Sequence, residues 1–116
     1  MHGVPKDLDL SHFVGKTLIQ LGIGEFQVQF NFHPHSNISV EDDWELYDSY
    51  GSVVDRSVPN DQRAEYRLHR LLGQEVVGWQ IDPPRSFSLR FANDLVLRVF
   101  DNSRQHESFS IDGTYV

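Results

Sequence analysis

Leu68-His69-Arg70-Leu71-Leu72-Gly73 repeats the pattern of Leu10-Ser11-His12-Phe13-Val14-Gly15 at a spacing of 58 residues. At the same spacing, Leu18, Leu21 and Ile23 match Val76, Trp79 and Ile81. Further along, Phe26-x-Val28-x-Phe30 matches Phe87-x-Leu89-x-Phe91, Ile38 and Val40 match Leu95 and Leu97, and Trp44 and Leu46 match Phe109 and Ile111. Val53 and Val54 correspond to Tyr115 and Val116. The spacing drifts where turn residues sit, as insertions in hairpin loops require. The 116 residues therefore read as one domain, 1–116, holding an internal pseudo-repeat, 7–58 and 61–116.

Each copy reads as a helix, a glycine and a run of strands. A clear helix is expected near 60–72. Asn60 or Asp61 caps it, Ala64, Leu68, Leu71 and Leu72 share one face, and Gly73 supplies the left-handed residue that ends it. A shorter version spans Asp7 to Val14 and stops at Gly15. The strands alternate. Phe26, Val28, Phe30 and Phe32 oppose Gln27, Gln29, Asn31 and His33, and Phe87, Leu89 and Phe91 oppose Ser86, Ser88 and Arg90. Gly22-Ile23-Gly24, Asp42-Asp43, Tyr50-Gly51 and Asp112-Gly113 are among the turn signals between them. The expected fold class is α+β, with two tandem helix-plus-antiparallel-meander repeats packed around one core. Trp44 and Trp79 both fall in inward columns of this scheme.

The acidic balance of 17 Asp+Glu against 10 Lys+Arg, net charge -7, argues against a nucleic-acid partner, which needs a basic footprint. The absence of Cys excludes a disulfide framework, a thiolate zinc site and a cysteine nucleophile. No run approaches the 18 or so apolar residues of a membrane span, so no membrane is expected. With no signal-peptide pattern at Met1–Ser11, the expected location is cytoplasmic. Phe13-Val14-Gly15-Lys16-Thr17-Leu18, the Phe26-x-Val28-x-Phe30 strand and Glu107-Ser108-Phe109-Ser110-Ile111 together resemble a family of small uncharacterised bacterial proteins of actinobacterial type. The resemblance implies a compact single domain and carries no activity, cofactor or catalytic residue.

His33-Pro34-His35 is the most metal-like string, yet no third ligand stands near it, so neither metal nor cofactor is expected. His12 and His69 occupy equivalent places, each just before its apolar pair. No Gly-x-Ser-x-Gly elbow, dinucleotide fingerprint or phosphate loop is present, and no catalytic residue is assigned. Glu107 shares parity with Phe109 and Ile111; either an Arg holds it against the core or it lies at the mouth of the strand.

Charge is distributed unevenly. Residues 1–58 carry nine acidic and three basic side chains, residues 59–116 eight and seven, and no Lys or Arg occurs from Thr17 to Asp55. The candidate binding residues are Glu41, Asp42, Asp43, Glu45 and Asp48 in the acidic half, Arg63, Arg67 and Arg70 along the expected helix, and Glu107. The Arg row docks on the acidic half, or that half faces a basic protein, or the surface is simply solvated. Three function classes follow. The first is a non-catalytic protein-interaction module, comparable by analogy with immunity proteins and antitoxins. Its partner is a basic protein or, as a homodimer, a second copy of the chain. The second is a small-molecule-binding domain with an aromatic pocket between the repeats. The third is a small hydrolase or isomerase using His106 and Glu107. The balance leans away from an enzyme.

Overall fold

Strand alternation dominates the chain, and the computed structural model, which describes residues 3–58, 62, 65–101 and 109–115, is all-β. A 3-10 turn at Ser11–Phe13 leads into β1 (Thr17–Ile23), β2 (Val28–His33), β3 (Ser36–Val40), β4 (Trp44–Tyr47) and β5 (Val53–Arg56). A second 3-10 turn at Leu68–Leu71 leads into β6 (Val76–Asp82), β7 (Ser86–Phe91), β8 (Val96–Phe100), β9 (Phe109–Ile111) and β10 (Thr114–Tyr115). The first sheet has the order β1-β2-β3-β9-β10, the second β5-β4-β8-β7-β6, and every pairing is antiparallel. Each half of the chain builds three strands of one sheet and sends its last two to the other.

The expected α+β class is thus corrected, and with it the helix near 60–72. Its cap residues Asn60 and Asp61 lie outside the described residues. Glu65, Tyr66 and Arg67 are not helical, Gln62 is in a 3-10 conformation, and Leu68–Leu71 makes one 3-10 turn. The reason is competition for backbone donors. The Asp55 carboxylate on β5 accepts the N–H groups of Arg67 (2.7 Å) and Leu68 (3.1 Å), which caps the turn where it starts. Gly73, at φ 81°, ends it five residues later. One turn suffices to bury Leu68 and Leu71, a length at which 3-10 geometry is common.

The two turns meet where the sheets join. Gly15 N–H donates to Val76 O (2.9 Å) and Gly73 N–H to Leu18 O (2.8 Å). Leu18 N–H donates to Gln74 O (3.1 Å) and Val76 N–H to Lys16 O (2.8 Å). This reciprocal set surrounds the Thr17–Glu75 bridge. Gly15, at φ 90°, mirrors Gly73, since both chains reverse there in a conformation that L side chains avoid. β1 and β6 each carry a bulge after the crossing, at Leu18/Gln20 and at Val76/Gly78.

Registers place Val28, Phe30 and Phe32 level with Phe87, Leu89 and Phe91, and Ile38 and Val40 level with Leu97 and Val99. The matches expected from sequence were two residues out of step in both strands. A shift of two preserves inside and outside, so alternation alone does not detect it. Phe26 consequently leaves the core; it is 80% exposed at the tip of the β1–β2 hairpin. Trp79 keeps its inward parity opposite Leu89, but β6 is an edge strand and the indole is 37% exposed. Trp44 is 3% exposed, as its column requires. Between the sheets Phe13 meets Phe32 (5.2 Å between centroids), Phe32 meets Phe91 (6.4 Å) and Phe87 meets Phe109 (4.9 Å), so aromatic rings fill the space between the repeats.

Candidate functional site

Two surface grooves gather polar side chains. The first, about 270 Å³, lies where the chain passes from β3 in one sheet to β4 in the other. Glu41, Asp42 and Asp43 form that crossing, and Gly24 N–H, donating to Gln27 O (2.8 Å), closes the neighbouring hairpin so that Glu25 and Phe26 project beside them. Trp44 and Tyr66 line the same groove. The Ser57 hydroxyl donates to the Asp43 carboxylate (3.3 Å) and accepts the N–H of Trp44 (3.2 Å), which fixes the start of β4 against β5.

The second groove, about 590 Å³, is the outer face of the second sheet. Register aligns Arg56, Glu45, Arg98, Ser88 and Gln80 in one row across five strands. Arg98 is held by Asp82 (3.3 Å) and donates from Nε to the buried Ser86 hydroxyl (3.0 Å). The Tyr47 phenol donates to the Glu45 carboxylate. Burial, together with that carboxylate, raises the Tyr47 pKa above its ordinary range, against an opposing pull from Arg98.

That shift has a consequence with a definite sign. The folded state holds the phenolic proton more tightly than the unfolded state, whose tyrosines ionise near pH ~10. As pH rises through that value the unfolded chain releases the proton first, so stability contributed by the neutral phenol is lost. In a spectrophotometric titration of the folded protein, a tyrosine step displaced above pH ~10, the ordinary phenol value, should disappear in Tyr47→Phe. Persistence of that step would show that Tyr47 is not the shifted group.

The structure disperses the residues expected to act together. Glu41, Asp42 and Asp43 share the first groove. Glu45 stands on the second sheet, and Asp48 serves its own turn by accepting the N–H groups of Tyr50 and Ser52 (2.9 Å each). Arg67 donates to Glu65 (2.5 Å) and Val54 O (3.2 Å), and Arg70 is exposed in the 3-10 turn, so they form no helical row. Arg63, His106 and Glu107 lie outside the described residues. His33 and His35 are exposed about the β2–β3 turn, and among the described residues no three metal-ligating side chains converge. His12 contacts Asp112 (2.9 Å), while His69 donates from Nδ1 to Tyr66 O (3.2 Å).

Several groove residues escaped the sequence reading. Gly22-x-Gly24 had marked a hairpin, which places Glu25 and Phe26 at its tip, but the alternation of Phe26 with Val28 pulled it into the strand. Arg90 and Arg98 stood plainly on polar faces of their strands; only the register of β7 on β8 reveals that the two faces are one. No helix among the described residues is long and apolar enough to cross a membrane. Compared with family models, curated proteins and solved structures, the chain matches none.

Proposed function

We propose that this chain is a non-catalytic protein-interaction module that receives a basic segment of a partner at the β3–β4 crossing. One observation carries the reading: Glu25, Glu41, Asp42 and Asp43 line the same groove as Phe26, a large apolar side chain left 80% exposed. Interfaces concentrate energy in aromatic anchors and use surrounding charge for steering and register. The groove combines both, with Trp44 and Tyr66 as its floor. Complementarity to a positively charged segment follows from the four carboxylates. The comparison with immunity proteins and antitoxins remains one of surface character alone.

A decalysine peptide tests the charge half of this reading at physiological salt. Glu25→Lys combined with Glu41→Lys should weaken its binding at least tenfold more than Glu75→Lys combined with Asp94→Lys, which changes net charge equally elsewhere. Equal losses would reduce the attraction to overall charge and remove the groove from the account.

A further inference from the structure

Arg90 is a cation on β7 of the second sheet. Arg98, Arg67 and Arg85 each hold a carboxylate within 3.3 Å, whereas Arg90 has neither an ion pair nor a hydrogen bond from its side chain among the described residues. It stands opposite Gly78, just past the β6 bulge, and its guanidinium turns the Nε–Nη2 edge toward the space above that glycine. A Cβ at Gly78 would come within 3.3 Å of Arg90 Nη2 and 3.6 Å of its Nε. The missing side chain therefore makes the seat in which the guanidinium rests.

The first half of the chain provides an internal comparison. The corresponding position past the β1 bulge pairs Gln20 with Asn31, and there the two side chains satisfy each other, Asn31 Nδ2 donating to Gln20 Oε1 (3.3 Å). In the second half glycine replaces the partner and arginine replaces the amide. The same scaffold closes one face on itself and leaves a five-donor fork open on the other.

We propose that this outer face binds a small molecule through its carboxylate, with Arg90 as the fork that holds it. Arg98 lies on the diagonal of the same face, since Arg90 pairs with Val96 and Ser88 with Arg98. Diagonal neighbours on a sheet stand roughly 7–8 Å apart. Arg98 donates to Asp82 and Ser86, and its charge is offset by the Asp82 carboxylate, so the open fork on this face is that of Arg90. Asp48, Asp82 and Asp94 line the rest of the groove against Arg90 and Arg98, a net negative lining that repels doubly charged phosphate more strongly than a monoanionic carboxylate. Val96 and Ile81 give an apolar wall for the body of the ligand, and about 590 Å³ falls within the range of small-molecule sites.

Benzoate, a carboxylate with an apolar body, is the probe, followed by NMR on the full-length labelled chain at constant ionic strength. Saturable shifts should appear at the Arg90 Nε–H and at the amides of Ser88, Gln80 and Val96. Arg90→Gln should weaken binding at least tenfold, and Gly78→Ala, which displaces the guanidinium, should weaken it measurably. Arg56→Gln, in the same sheet, should leave it unchanged. Both altered positions are at the surface, and the spectra themselves report whether each variant is folded. Phosphate should bind more weakly than benzoate, and benzylamine not at all. Shifts that remain linear throughout, equal losses in Arg90→Gln and Arg56→Gln, or tighter binding of phosphate would each overturn the assignment.

Discussion

Phe32→Ala should lower the free energy of unfolding by about 3–5 kcal/mol, the cost of emptying a fully packed aromatic site. Phe32 is the ring on which three parts of the chain converge. It belongs to β2 of the first sheet, its edge contacts Phe13 from the N-terminal 3-10 turn, and it stacks on Phe91 from β7 of the second sheet. All three are buried. Truncation leaves a cavity that neither sheet can fill without moving the other, so relaxation recovers little of the loss. A domain of this size has about 5–15 kcal/mol in total, so the variant should retain only part of its cooperative transition. Urea unfolding followed by far-ultraviolet circular dichroism measures the change. A loss below about 1 kcal/mol would mean that the two sheets are not coupled through this ring.

The two tryptophans should behave oppositely. Trp44→Ala should cost about 3–5 kcal/mol, since its side chain is 3% exposed and anchors the point where the chain changes sheet. Trp44 also accepts Ser57 N–H at its carbonyl (3.0 Å), and its N–H reaches Ser57 Oγ (3.2 Å), so disturbing it loosens β4 from β5 as well. Trp79→Ala should cost far less, about 1–2 kcal/mol, because the edge position leaves its ring 37% exposed before truncation. Fluorescence separates the two: quenching by acrylamide in the folded state should fall mainly on Trp79 and be nearly abolished in Trp79→Ala. Equal destabilisation by the two substitutions would place Trp79 in the core after all.

Local pattern and long-range contact divide the outcome between them. Alternation in 28–33, 86–91 and 96–100 wrote the strands and their inner faces directly into the sequence, because a strand with one face buried needs only its own residues to choose sides. Gly15 and Gly73, set 58 residues apart, likewise marked the two chain reversals in advance. The acidic crossing Glu41-Asp42-Asp43 was also legible as a turn, and it lines a groove of the protein.

What stayed hidden depended on partners distant in sequence. The apolar spacing of 64–72 is helical in form, but Asp55 takes the backbone donors of Arg67 and Leu68, and Leu68–Leu71 forms a single 3-10 turn. Periodicity could not rank Phe26 against Phe32, since a slip of two residues preserves every inward side chain; pairing of β2 with β3 chose the register and left Phe26 at the hairpin tip. Arg90 looked like any polar-face residue until β6 brought Gly78 beneath it and β8 brought Arg98 beside it. Faces and turns follow from the order of residues along the chain, whereas register, exposure at an edge and the company a charge keeps are set only when separate strands pair.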